Sequence, residues 1–169
     1  EGRNSISHNN VKALYYDADK EIIWIGTHLG GLNKLDIRSG HFTHYRMEEG
    51  NPNTLPSDII RDIIPYKSLL IIATQNGVCL FDPANGQCQQ LFKDSKEGKS
   101  IKMVADVTFD SEGTLWIAAT GEGVFSYRFN TCKLTNYRHD ATNPNSLSNN
   151  NVNNITQDSK GNLWLPISA

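Results

Sequence analysis

The sequence contains no apolar run approaching the roughly eighteen residues of a membrane-spanning helix, so no direct membrane insertion of this segment is expected. It also has no block of positive charge. Its 16 Lys and Arg are scattered among 18 Asp and Glu, for a net charge of −2. Binding a nucleic-acid backbone needs concentrated cationic surface, which excludes nucleic acid as an expected partner. No stretch repeats apolar residues at i, i+3 and i+4 over the ten or so positions a helix needs. A Gly-x-Ser-x-Gly elbow, a His-Glu-x-x-His pair and a phosphate-binding glycine loop are all missing. Gly121-Glu122-Gly123 reads as a hairpin turn with no helix after it. Cysteine is scarce, and Cys79, Cys88 and Cys132 fit no metal-ligand spacing.

What is present is a period. Gly31-Leu32, Gly77-Val78 and Gly123-Val124 recur at intervals of 46 residues, each opening a short run of alternating apolar residues. Tyr45, Leu91 and Tyr137 keep the same interval, as do the segments starting at Asn53, Lys99 and Asn145. The counterpart Asn4-Ser5-Ile6-Ser7 lies 49 residues before Asn53, so the first unit carries an insertion. Each unit holds four short runs rich in β-branched and aromatic residues, bounded by Gly, Asn or Asp. Turns of that chemistry join antiparallel neighbours, because Gly and Asn accept the positive φ that hairpins need. Four antiparallel strands per repeat of about 40–50 residues describe a β-propeller blade.

The expected fold is therefore all-β, a propeller fragment of about three and a half four-stranded antiparallel blades. Blades are expected over residues 1–52, 53–98 and 99–144, with the first half of a fourth over 145–169. First strands are expected at Val11–Tyr16, Ile59–Ile64, Val104–Phe109 and Val152–Gln157. Second strands are expected at Ile22–Thr27, Leu69–Thr74, Leu115–Thr120 and Leu163–Leu165. An incomplete array leaves apolar blade faces to cover. The chain is thus expected to be part of a larger, seven-bladed propeller, completed by further blades or by self-association.

Asp110-x-x-Gly113-x-Leu115-Trp116-Ile117 and Asp158-x-x-Gly161-x-Leu163-Trp164 resemble the two-component regulator propeller repeat. So do Trp24-Ile25-Gly26-Thr27, the strand ends at Asp36 and Asp82, and the links starting at Asn4 and Asn145. The second repeat departs from the pattern, with Pro65-Tyr66-Lys67-Ser68 at the turn and Ile71 in place of Trp. The fourth has Pro166 where others have Gly26, Ala73 or Ala118, so its strand is expected to be bulged or at an edge. The resemblance implies the periplasmic ligand-sensing region of a membrane-anchored hybrid two-component histidine kinase. It further implies an oligosaccharide ligand released from a polysaccharide.

Individual residues have structural readings first. Trp24, Trp116 and Trp164 share one register and are expected to pack between blades. Trp116→Ala is expected to cost more than Trp24→Ala. Asp110 and Asp158 are expected to accept hydrogen bonds from backbone two residues on. Asp17, Asp19 and Glu21 suggest calcium but lack the alternating ligands and terminal Glu of an EF-type loop, so no metal is expected. The Asp turn also resembles the Asp-box of sialidases, yet Arg46 and Arg138 occupy equivalent, architectural positions rather than a substrate cluster. Cys79 and Cys88 sit on neighbouring strands and are expected as free buried thiols, since cross-strand disulfides are usually strained. His28 stands out in a hairpin turn. No catalytic residue, cofactor or identified ligand-binding residue is expected. The competing readings are a propeller glycosidase or lyase and a protein-interaction scaffold.

Overall fold

Alternating apolar residues separated by Gly, Asn and Asp turns form fourteen strands in a computed structural model that describes residues 4–167. The first sheet runs in the order β1 (Val11–Asp17), β2 (Ile22–Thr27), β3 (Leu32–Asp36) and β4 (His41–Tyr45). The second repeats this order with β5 (Ile60–Tyr66), β6 (Leu69–Thr74), β7 (Gly77–Phe81) and β8 (Cys88–Gln90). The third holds β9 (Val104–Phe109), β10 (Leu115–Ala119), β11 (Gly123–Arg128) and β12 (Lys133–Tyr137). A two-stranded sheet of β13 (Thr156–Gln157) and β14 (Leu163–Trp164) follows. Every pairing is antiparallel between sequence neighbours, which short turns permit and a helical crossover would not. The fold is all-β and is a propeller fragment.

The chain divides into two compact units, residues 1–91 and 92–169. In the first, the core lies between two complete sheets. Trp24 and Leu32 from one meet Ile60, Ile72, Cys79 and Phe81 from the other, all buried. In the second, Ala118 and Val124 of the complete sheet pack on Val152 and Ile155, in the segment leading into β13. The second strands are buried along nearly their whole length.

The inner strands share a feature that alternation alone does not reveal. The ladder shifts between Val11 and Ala13, between Ile60 and Asp62, and between Val104 and Asp106. These are β-bulges at one register in three blades, and bulges sharpen the local twist of a strand.

Two expectations are corrected. The expected strand Val152–Gln157 shrinks to Thr156–Gln157 and an isolated bridge between Val152 and Ile167. The cause is local: the N–H of Ile155 donates to the Asp106 carboxylate at 2.7 Å instead of a strand partner. The N–H of Asn153 reaches the carbonyl of Pro166 at 3.2 Å, beside a residue that has no N–H to return. The three tryptophans also differ in burial: Trp24 is 1% exposed and Trp164 62%, while Trp116 is half-buried. The expected ranking of Trp116 over Trp24 is therefore reversed.

Candidate functional site: a cleft floored by Trp116 and Tyr137

The local unit behind this site is a seven-residue clasp. At the turn after β9, one oxygen of Asp110 accepts the N–H groups of Glu112 (3.0 Å) and Thr114 (2.8 Å). The other accepts the indole Nε1–H of Trp116 at 2.8 Å. Gly113 closes the turn at φ +78°, a conformation that favours glycine. The same construction recurs at Asp158. Its carboxylate accepts from the N–H groups of Lys160 and Asn162 (both 2.9 Å), from Asn162 Nδ2 (2.9 Å) and from Trp164 Nε1 (3.0 Å). The expected backbone bonds two residues on are present in both turns. The indole bonds were not anticipated, although the Asp-to-Trp spacing of six is common to the two sequences.

These bonds set the charge. Hydrogen bonds from Asn162 and Trp164 hold the Asp158 carboxyl down to about 2 from an ordinary 3.8. For Asp110, partial burial pushes upward, but the bonds from Trp116, Thr114 and Glu112 outweigh it and the carboxyl lies below its usual range. Both groups are ionised at neutral pH, and their oxygens are occupied. Neither is suited to donate a proton as a general acid.

Above the clasp lies a cleft of about 760 Å³. Its floor is Trp116 and Tyr137, with ring centroids 5.6 Å apart. Thr131, Lys133 and Thr135 of the β11–β12 hairpin form one wall, and Gln157, Lys160 and Leu163 the other. Gln157 ties its wall to the Asp110 turn, its Oε1 accepting the N–H of Ser111 at 2.8 Å. Arg128 and Glu112 pair at 3.5 Å on the rim, both well exposed and so weakly coupled. Two aromatic faces under a polar rim can seat an amphipathic group, ring on ring or ring on apolar edge.

The first unit shows what such a floor can hold. Trp24 and Tyr45 occupy the matching positions, Trp24 facing Lys34 as Trp116 faces Ser126, and Tyr45 facing Leu32 as Tyr137 faces Val124. There Phe81 of β7 closes over both rings, 5.4 Å from Trp24 and 4.9 Å from Tyr45, edge-on to each. The floor of the cleft thus has the composition of a blade-packing surface.

The other candidates are dispersed. Asp17 accepts the Lys20 N–H at 3.3 Å and pairs with its ammonium at 3.0 Å, while Glu21 pairs with Arg38. Among the described residues no group of three potential metal ligands assembles. Arg46 pairs with Asp58 at 3.0 Å and Arg138 with Glu122, so the two arginines are each tied to a carboxylate of their own unit. The half-buried His28 ring has a buried Nδ1 without a hydrogen-bond partner. Cys79 and Cys88 are buried thiols, and Cys132 is exposed.

A sequence model described as "Two component regulator propeller" matches residues 5–28 and 146–165. Both of these segments are similar to the two component regulator propeller repeat. In each, the match spans the incoming link and the first two strands. Solved structures agree on the fold. The extracellular domain of BT4673 of B. thetaiotaomicron, assigned as a hybrid two component system, is 22% identical with a TM-score of 0.52. That alignment covers 98% of this chain and 27% of the other. The corresponding domain of BT3049 is 18% identical, with a TM-score of 0.54, covering 98% and 34%. An auxiliary nutrient binding protein from the same organism is 11% identical, with a TM-score of 0.63, covering 95% and 36%. The chain spans about a third of the length of these structures. No curated protein matches its sequence.

Proposed function

We propose that this chain is part of the ligand-sensing propeller of a hybrid two-component sensor. On this reading it lies in the periplasm, held to the membrane by the rest of the sensor, and binds an oligosaccharide released from a polysaccharide. Binding is relayed as a conformational change toward a kinase, and the propeller itself does no chemistry. The observation that carries this reading is the regulator propeller repeat at both ends of the chain. The shared fold with extracellular domains of hybrid two component systems supports it, and the nutrient-binding relative favours a small soluble ligand. The occupied, ionised carboxylates of Asp110 and Asp158 argue against the glycosidase alternative, which needs a protonated acid.

Isothermal titration of the chain with a panel of oligosaccharides tests this reading. Saturable binding of one sugar class, with the sugar recovered unchanged, is the expected result. Turnover of any glycan, or no binding across the panel, would defeat it. A second reading, a protein-interaction surface, is favoured by one observation, the match between the cleft floor and the Trp24–Tyr45 surface that Phe81 covers. The substitution Tyr137→Ala separates the two. Sugar binding that survives it, with lost protein contact, assigns the cleft to packing.

A further inference from the structure

Cys79 and Cys88 lie on the paired strands β7 and β8, but they are not opposite each other. Cys79 faces Gln90 and Cys88 faces Phe81, so the two are diagonal neighbours with side chains on the same face. Their sulfurs are 3.3 Å apart, in hydrogen-bond contact, against about 2.0 Å in a disulfide. The backbone on either side is fixed. The N–H of Cys88 donates to the Asn53 carbonyl at 2.8 Å, and the turn between the strands is closed from Asp82 N–H to the Gln87 carbonyl at 2.8 Å. Neither thiol has a metal-binding neighbourhood among the described residues.

We propose that Cys79 and Cys88 are a redox pair that closes into a disulfide by exchange with a small-molecule disulfide or a disulfide-bearing oxidase. The Cys88 thiolate attacks one sulfur of the oxidant, the oxidant's S–S bond breaks, and the first thiol leaves. The Cys79 thiolate then attacks Cys88 Sγ, breaking the mixed disulfide and releasing the second thiol. The two protein thiol protons end on the two released thiols, and the oxidant is reduced as the pair is oxidised. Cys88 takes the first step because β8 is a three-residue strand at the edge of its sheet, the segment of this hairpin most able to open. Cys79 is fully buried, and burial, with the hydrogen bond that its S–H donates to Cys88 Sγ, raises its thiol well above the usual range. Oxidation of the folded chain is therefore slow, and the bond forms readily before β8 docks. Its formation in the cell rests on the extracytoplasmic reading above, because oxidising compartments are where such bonds persist. The chemistry in the test tube does not rest on it.

The test uses the whole chain, reduced, unfolded in urea and refolded with oxidised glutathione, then alkylated under denaturing conditions and digested with trypsin. The peptide Ser68–Lys93 contains both cysteines. It is expected unalkylated and lighter by the two thiol hydrogens, with the same result in the Cys132→Ser variant. The folded, reduced chain is expected to oxidise at least about tenfold more slowly than the unfolded one. Recovery of that peptide with two alkylated or two glutathionylated cysteines would overturn the proposal, as would pairing of either cysteine with Cys132. Equal oxidation rates in the folded and unfolded chains would overturn the route through β8. The mass readout is independent of any sugar, so failure here leaves the sensor reading standing and failure there leaves this one.

Discussion

Asp158 joins four donors within six residues, and its lowered carboxyl makes that turn sensitive to acid. The folded-state value of about 2 lies below the ordinary 3.8, so the group's contribution is complete above about pH 4 and is lost as pH falls toward 2. Asp110 shifts in the same direction. Tryptophan fluorescence is expected to change across that acid window as the carboxylates release the indoles. Asp158→Asn and Asp110→Asn together should abolish this change. At neutral pH, Asp110→Ala is expected to cost about 1–2 kcal/mol in urea unfolding, the scale of a charge-assisted bond that solvent partly replaces. The tryptophans separate by burial. Trp24, enclosed by Tyr45 and Phe81, is expected to cost about 3–5 kcal/mol on replacement by Ala. The half-buried Trp116 is expected to cost about half as much.

A strand pair depends on how its hairpin begins, and Gly31 and Gly123 begin β3 and β11 in the same way. A Cβ at Gly123 would lie 2.3 Å from the carbonyl oxygen of Tyr137, at φ +83°. At Gly31 it would lie 2.3 Å from that of Tyr45, at φ +70°. Gly123→Ala is expected to destabilise the fold by about 1–3 kcal/mol, combining backbone strain with the clash, measured by the urea midpoint. This recurrence is why the elements were legible. Glycine turns and alternating residues locate β1, β2, β5, β6, β9 and β10 to within one or two residues of where the structure has them. The three bulges were not legible, because an extra residue in a strand leaves no mark on composition. The fourth inner strand was misread because Val152–Gln157 alternates properly, yet its hydrogen bonds go to Asp106 and Pro166. Of the cleft, the sequence showed the rings but not their exposure. Trp24 and Trp116 sit in similar motifs, and only the chain packed against each one separates them.

At the scale of the whole molecule, the two units carry unequal surfaces. The first covers its aromatic floor with Phe81. The second displays Trp164 at 62% exposure and Tyr137 at 45%, with Trp116 between the cleft walls. Exposed aromatic surface of this kind promotes contact with other protein. Sedimentation velocity is expected to show concentration-dependent self-association in the micromolar range, reduced by the double substitution Tyr137→Lys and Trp164→Lys. A monomer at every concentration, with the circular dichroism of a β-sheet protein, would contradict this.

The Asp–Trp clasps have a consequence for the order in which the chain acquires its shape. Each closes over seven residues, so the entropy lost in forming it is small and its bonds can appear within microseconds, before distant strands meet. The second blade turns through Tyr66 and Lys67 with no aspartate at that place, and its β6, buried from Leu70 to Thr74, gains its partners only from contacts across the sheet. Refolding should therefore begin in residues 104–119 and 156–164 and reach residues 60–90 later. In a rate–stability comparison, Asp110→Ala would slow folding, whereas Ile72→Val would mainly speed unfolding.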